Sequence, residues 1–283
     1  MAIDQTLRAL DIDLPACPQV LVQLSVLMHD EGANLRIIAE LIETDMALAS
    51  AVVRTVNSAY FGLQRRVESV PEAVRYLGTR EVSALTFEIG LRGAFPPRPM
   101  LNALWERAGR RGLAMGRAAP ALDLDPWLAH TAGLFAESGQ AALVMHDTEG
   151  YEALLASTPD AFAQLEGETA LYGVNHAALG AALCQVWGLS SQVAAAVRLR
   201  PAVLQSLADA GQSKHPDTDA PWLTEPLGTQ QLLALGAIVD AGLAGCDEPT
   251  IARYSAAVGP VAGLDAGALR EAALAGVARV QAG

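Results

Sequence analysis

Apolar residues recur three or four positions apart along most of the chain, and this spacing places them on one face of an α-helix. The first clear example follows Asn34, a residue type that favours the position just before a helix. Its apolar stripe consists of Leu35, Ile38, Leu41 and Ile42. The alternating pattern typical of β-strands is almost absent from the sequence. The sequence therefore predicts an all-α fold.

Polar capping residues, glycines and prolines predict where individual helices begin and end. Ser69 and Glu72 have the capping-box spacing, in which the two side chains satisfy free backbone N–H groups of the first turn. Gly78 suits the end of that helix, because glycine tolerates a left-handed backbone. Ser190 is expected to begin a later helix that ends at Pro201, because proline removes a backbone donor and crowds the preceding turn.

A proline-rich segment at residues 95–99 predicts a break between two helical lobes, since three of its five residues lack a backbone N–H. Most of the chain, residues 1–245, is then interpreted as one helical domain. Its predicted parts are an N-terminal lobe at 14–95 and a second lobe at 100–245 with a polar loop at 209–226, followed by a C-terminal helical extension at 246–283.

Composition narrows the class of protein. The chain has 283 residues, 52% hydrophobic and 18% charged, which is enough to bury a large core. No stretch approaches the roughly 18 uninterrupted apolar residues that a membrane helix needs. The N-terminus is charged and lacks an apolar segment followed by a cleavage site, so we expect a cytoplasmic protein that does not act on membranes. The distant Cys17, Cys184 and Cys246 predict buried thiols rather than a disulfide or a zinc site.

The formal net charge of −12 disfavours a nucleic-acid partner, because binding to phosphates requires a clustered excess of Lys and Arg. Arginines do cluster at residues 107–117 and 198–200, so local anion binding stays open. The alternative is that these arginines cover solvated helix faces or pair with some of the 31 acidic residues.

Four segments resemble the signature of the HDOD family in their order and spacing. They are residues 14–18, 37–45, 56–62 and 69–78. The most specific part is the Asn-Ser-Ala-Tyr-Phe-Gly string of residues 57–62, and a weaker similarity extends through residues 176–180 to about residue 245. The resemblance implies a multi-helix fold of two packed helical lobes.

The string at residues 57–62 has a structural interpretation of its own. Asn57 and Ser58 are expected at a helix C-terminus, where their side chains can bond the last carbonyls. Tyr60 and Phe61 are expected to pack against a neighbouring helix, and Gly62 permits a left-handed exit. We therefore predict a structural corner and not a catalytic site.

The HDOD family is similar to HD-type phosphohydrolases, in which His and Asp side chains hold metal ions that activate water. The resemblance places the positions of that centre, in this chain, at Arg107, Ala136, Glu137, His176, Arg200, Pro201 and Asp240.

Only three of these positions, Glu137, His176 and Asp240, retain a side chain that can bind a metal. An arginine has no lone pair to donate, and its positive charge repels a divalent ion. The expected pocket is thus a degenerate one, with no catalytic residue, no bound metal and no cofactor.

Three classes of function remain. The favoured class is a non-enzymatic signal-transduction or scaffolding module that binds a protein in trans, such as a sensor kinase, a response regulator or a cyclic-dinucleotide enzyme. The second is a sensor in which Arg107, Arg198 and Arg200 bind an anionic nucleotide or phosphate. The third is a residual metal-dependent phosphodiesterase. We further expect Arg107 and Arg200 to be exposed, so that removing either changes binding more than folding.

Overall fold

The structure is a computed structural model that describes residues 12–28, 34–58, 65–158, 160–211 and 219–281. Every regular element in these ranges is a helix, which confirms the predicted all-α fold. Contacts divide the chain into two compact units, one formed mainly by residues 15–97 and the other by residues 98–280. None of the described helices combines the length and apolar character that crossing a membrane requires.

The first unit contains five α-helices in the described ranges. They are α1 (Gln19–Leu27), α2 (Leu35–Glu43), α3 (Met46–Val56), α4 (Val70–Leu77) and α5 (Thr79–Gly93). Ile38, Ile42 and Val52 are fully or almost fully buried, as the apolar stripes of α2 and α3 require. Helix α1 crosses α5 at Gly90, where any side chain would collide with Leu21.

Capping in this unit follows the sequence closely. The Asn34 side chain accepts hydrogen bonds from the first turn of α2, which confirms it as the cap. At α4, Ser69 Oγ accepts a bond from the N–H of Glu72 at 3.4 Å, and Gly78 ends the helix with a φ of 89°. The Glu72 carboxylate differs slightly from the ideal capping box, because it accepts the N–H of Glu68 at 2.8 Å.

The second unit is larger and holds ten α-helices in the described ranges. They are α6 (Pro99–Ala118), α7 (Pro126–Phe135), α8 (Ser138–His146), α9 (Thr148–Ser157), α10 (Ala161–Tyr172), α11 (His176–Val186), α12 (Ser191–Gly211), α13 (Leu227–Leu243), α14 (Glu248–Val258) and α15 (Ala266–Gln281). Short 3-10 turns lie at Ala119–Leu122, Pro221–Thr224 and Pro260–Ala262.

Helix α12 corrects two boundaries predicted from the sequence. It does not end at Pro201 but continues through it to Gly211, and its later residues Val203 and Leu207 are buried. This burial offsets the lost hydrogen bond and the crowding, which cost about 3 kcal/mol inside a helix. The predicted loop at 209–226 is correspondingly shorter: its first residues are helical, and a 3-10 turn buries Trp222. Residues 212–218 of that loop lie outside the described residues.

The C-terminal helices belong to the second unit. Helix α15 approaches α6 so closely at Gly276 that a Cβ there would collide with the carbonyl oxygen of Ala114. Val277 of the same helix lies beside Gly242 of α13. Residues 246–281, predicted as an extension, thus help to enclose the core of this unit.

Candidate functional site

Asn57 explains the polar start of the family signature. Its Nδ2 donates to the carbonyl oxygen of Val53 in the last turn of α3 at 2.9 Å, which confirms the predicted bond. The same amide also donates to Val67 O at 2.7 Å and accepts Val67 N–H at 2.9 Å. Asn57 therefore pairs with the Val67 backbone as a neighbouring strand would, and fixes the chain that leads to α4.

The remaining signature positions divide into two groups. Ser58 is exposed, and its backbone N–H bonds the carbonyl of Thr55. Tyr60, Phe61 and Gly62 lie outside the described residues, so their packing stays a prediction.

Four charged side chains meet inside the second unit and form what we call the charge ring: Arg111, Glu137, Arg200 and Asp240. Arg111 comes from α6, Glu137 from the residue before α8, Arg200 from α12 and Asp240 from α13. Because the four come from separate segments of the chain, the ring ties α6, α12 and α13 to the start of α8.

Each arginine of the charge ring contacts both carboxylates. Arg111 Nη2 lies 3.2 Å from Glu137 Oε1, and its Nε lies 2.5 Å from Asp240 Oδ1. Arg200 Nη2 lies 3.4 Å from the same Glu137 oxygen and 3.0 Å from Asp240 Oδ2. Two positive and two negative charges thus close on one another, and the ring is neutral.

Burial strengthens the electrostatic attraction within the ion pairs of the charge ring. The side chains of Arg111, Glu137, Asp240 and Arg200 are 6%, 11%, 15% and 18% exposed. Burial alone would raise the pKa of Glu137, but the arginines Arg111, Arg200 and Arg107 hold that pKa far below its ordinary value. Burial alone would lower the pKa of Arg111, and the two carboxylates raise it above its ordinary value. Glu137 and Arg111 therefore both stay charged at neutral pH.

The buried cation of α6 is Arg111 rather than the expected Arg107. Arg107 Nε lies 3.4 Å from Glu137 Oε2, but its side chain is 52% exposed, so it sits at the edge of the pocket. A sequence signal for Arg111 existed, because it continues the helical spacing of the buried Leu104, Ala108 and Met115. An arginine in an apolar stripe needs a buried partner.

Arg200 is also not the exposed side chain predicted from the sequence, since it belongs to the charge ring. Arg198 does not join Arg200 or Arg107: it pairs with Glu225 at 2.9 Å and lines a different surface cavity. Two positions along an α-helix correspond to a rotation of about 200°, so Arg198 and Arg200 point to opposite sides. Of the three arginines that we expected to bind one anion, the structure thus separates Arg198 from the other two, which both contact Glu137.

Ala136 and Pro201, two of the four positions at which the sequence lacks a ligand, are close to the charge ring. Ala136 is buried and lines a cavity of about 20 Å³ beside Arg111, Arg200 and Asp240. Pro201 follows Arg200 inside α12. The cavity has room for about one water molecule.

His176 is held by a second buried cluster that sequence reasoning missed. Glu168 of α10 is fully buried, and its Oε2 lies 2.8 Å from both the Nδ1 and the backbone N of His176. Tyr151 OH donates to Glu168 Oε1 at 2.6 Å. Burial raises the pKa of Glu168, but the bonds from His176 and Tyr151 bring it below its ordinary value. No local pattern points to this carboxylate, because Glu168 lies among other polar residues of α10.

The pocket does not fit a metal centre of the HD type. Glu168 orients His176 in the way that carboxylates orient metal-binding histidines, so part of such a centre is present. The carboxylates of Glu137 and Asp240, however, are occupied by guanidinium groups. Within the described ranges, no three His, Cys, Asp or Glu side chains come together in an arrangement that could hold a metal ion.

The second unit is helical throughout its described regular elements, and it brings Glu137 and Asp240 together around Arg111. The family model of the HDOD domain matches residues 14–202. This chain belongs to the HDOD family.

Known structures share the fold. A candidate phosphohydrolase from Shewanella amazonensis SB2B superimposes with a TM-score of 0.66 at 21% identity, over 98% of this chain and 97% of the other. A candidate signal transduction protein from Marinobacter aquaeolei VT8 gives a TM-score of 0.67 at 23% identity, over 96% of this chain and 60% of the other. An HDOD domain protein of unknown function from Geobacter sulfurreducens gives a TM-score of 0.58 at 18% identity, over 82% and 73% of the two chains.

One sequence relative is more similar but is itself uncharacterised. It is a protein of Treponema pallidum (strain Nichols), 28% identical over 200 residues. The match covers 66% of this chain and 37% of the length of that curated relative.

Proposed function

We propose that this chain is a non-enzymatic signal-transduction or scaffolding module that acts on other proteins in trans. The observation that carries this proposal is the charge ring, in which Arg111 and Arg200 occupy two carboxylates at positions that the resemblance to HD-type phosphohydrolases assigns to the metal centre. Membership of the HDOD family and the fold shared with a candidate signal transduction protein support it.

Residual phosphodiesterase activity is disfavoured by the chemistry of the pocket. Metal-assisted hydrolysis needs a cation that binds and activates water, which requires free donor atoms and an open coordination position. Glu137 and Asp240 are instead neutralised by arginines that cannot be deprotonated in a protein.

Binding of an anionic nucleotide in the same pocket is disfavoured by charge and by size. The guanidinium groups of Arg111 and Arg200 already have carboxylate partners, so an incoming phosphate would have to displace them. The cavity of about 20 Å³ is far smaller than the several hundred Å³ that a small-molecule site usually offers.

The partners that suit this proposal are proteins such as a sensor kinase, a response regulator or a cyclic-dinucleotide enzyme. The net charge of −12 favours them over nucleic acid and over an anionic membrane surface.

One set of measurements on the purified full chain separates the three classes. We expect no stoichiometric transition metal by elemental analysis, no hydrolysis of phosphodiesters or nucleotides, and no change in melting temperature with nucleotides. A metal-dependent shift accompanied by hydrolysis would establish the phosphodiesterase, and a metal-free shift with a nucleotide would establish the sensor.

The interaction itself is tested by affinity purification from the source cells and reconstitution with the purified candidate. We expect a protein that binds the purified chain at a fixed stoichiometry and does not bind an unrelated helical protein of similar charge. Recovery of nucleic acid alone, with binding that weakens steeply as salt is raised, would contradict the proposal.

A further inference from the structure

The charge ring has a second consequence, which concerns cations rather than partners. We propose that Glu137 and Asp240 form a latent site for a divalent cation, and that the guanidinium groups of Arg111 and Arg200 fill this site from within the chain. In the second unit, two positive charges of the chain itself would then take the place of a bound metal ion.

The positions of the nitrogen atoms support this assignment. Arg200 Nη2 alone lies 3.0 Å from Asp240 Oδ2 and 3.4 Å from Glu137 Oε1, so one cationic group bridges the two carboxylates. Arg111 bridges the same two residues from another side, at Glu137 Oε1 and Asp240 Oδ1. A bridging cation between two carboxylates is also the role of a divalent metal ion.

Charge compensation explains the placement of Arg111 better than hydrogen bonding does. Its side chain is almost completely buried, yet Nη1 has no hydrogen-bond partner among the described residues. An unpaired buried N–H is unfavourable, so this guanidinium is not placed to satisfy all of its own donors. What its position does achieve is the neutralisation of Glu137 and Asp240.

The total charge of the two guanidinium groups equals that of one divalent metal ion. Two guanidinium groups supply +2, which is the charge of one Mg²⁺ or Mn²⁺ ion, against −2 on the carboxylates. Hard divalent ions of this kind prefer carboxylate oxygens and complete their coordination with water, so two carboxylates are enough for weak binding. Removal of the arginines should therefore open a site of modest affinity.

The test uses the double variant Arg111→Ala/Arg200→Ala of the full chain, purified in chelator and then titrated with Mn²⁺. We expect it to melt below the wild type without metal. At Mn²⁺ concentrations near ten times the dissociation constant, its melting temperature should rise by about 3–5 °C. Loss of the electron paramagnetic resonance signal of free Mn²⁺ would report the same binding directly. The wild type should show neither effect.

Three matched variants isolate the contribution of the two carboxylates. Arg111→Lys/Arg200→Lys retains both positive charges and should remain insensitive to Mn²⁺. Adding Glu137→Gln to the double variant should abolish the shift. Arg198→Ala frees the carboxylate of Glu225 at the surface, and Mn²⁺ should not change its melting temperature. This variant controls for non-specific binding of Mn²⁺ to an acidic protein.

If the double variant fails to fold, the single variant Arg200→Ala gives the decisive result, and it should show a smaller shift in the same direction. The proposal is overturned if no opened variant responds to Mn²⁺, if the wild type responds equally, or if the shift persists after Glu137→Gln.

Discussion

Glu168 and His176 lie eight residues apart, and the buried carboxylate of the first receives both the ring Nδ1 and the backbone N–H of the second at 2.8 Å. Glu168 is also the one buried residue of the described helix α10. The other apolar residues of this helix, such as Phe162 and Leu165, are at most half-buried. The polar cluster of Glu168, His176 and Tyr151 therefore does for α10 what an apolar stripe does for most helices.

We predict that Glu168→Gln destabilises the protein by about 1.5–3 kcal/mol, because hydrogen bonds to a charged group are lost and one buried donor then faces another donor. The free energy of unfolding from urea denaturation measures this. Glu166→Gln on the exposed side of the same helix is the control and should change it by less than about 0.5 kcal/mol. Equal effects of the two substitutions would contradict the role given to Glu168.

The same residue predicts a dependence on pH. The pKa of folded Glu168 lies below its ordinary value of 4.5, so its contribution to stability is fully present above pH 4.5 and is lost as the pH falls through the folded pKa. The difference in unfolding free energy between wild type and Glu168→Gln should accordingly be constant at about pH 6–8 and shrink below pH 4.5. A difference that grows on acidification would show that the sign is wrong.

The charge ring predicts unequal effects for two arginines one helical turn apart. Arg111→Met should cost about 3–5 kcal/mol, because it removes the most deeply buried positive charge from two buried carboxylates and leaves them only Arg200 and the half-exposed Arg107. Arg107→Ala should cost less than about 1 kcal/mol, because Arg107 is half exposed and its ion pair is screened by solvent. Thermal and urea unfolding of both variants checks this, and comparable losses would show that the ring is not centred on Arg111.

At the corner between α3 and α4, Asn57→Ala should cost about 2–3 kcal/mol, because the N–H and C=O of Val67 lose their partner together. The exposed neighbour Ser58 provides the control, and Ser58→Ala should be nearly neutral. Should Asn57→Ala prove as mild as Ser58→Ala, the paired bonds to Val67 contribute little.

Restoring the His-Asp pair by Ala136→His and Glu137→Asp should not create phosphodiesterase activity. Arg111 and Arg200 would still neutralise the carboxylates, and position 107 would still lack an imidazole. Hydrolysis of a chromogenic phosphodiester with added Mn²⁺ is the measurement, with the wild type as the matched control. Turnover above the wild-type level would mean that two ligands suffice.

Local signals in the sequence account for most of the helical architecture. Asn34 caps the helix that was expected to follow it, and Asp45 and Asn175 cap α3 and α11 in the same way, because capping involves side chains and N–H groups two or three residues apart. Gly78 likewise ends α4 with a positive φ.

Long-range relationships account for what the sequence did not predict. Arg111 and Asp240 are 129 residues apart, so no local pattern pairs them. The passage of α12 through Pro201 depends on packing of the residues beyond it, which outweighs the helix-breaking tendency of proline. The clearest missed signal was Arg111 itself, a charged residue in an apolar stripe.

The close crossing of α15 over α6 at Gly276 has a practical bearing on any work with fragments of this protein. A piece cut at residue 245, the predicted end of the helical domain, would lose Leu269, Ala273 and Val277, all of which are buried. The apolar surfaces of α6 and α13 would then be exposed to solvent and would bind other proteins non-specifically. Partner screens carried out on such a piece would score contacts that the intact chain never makes.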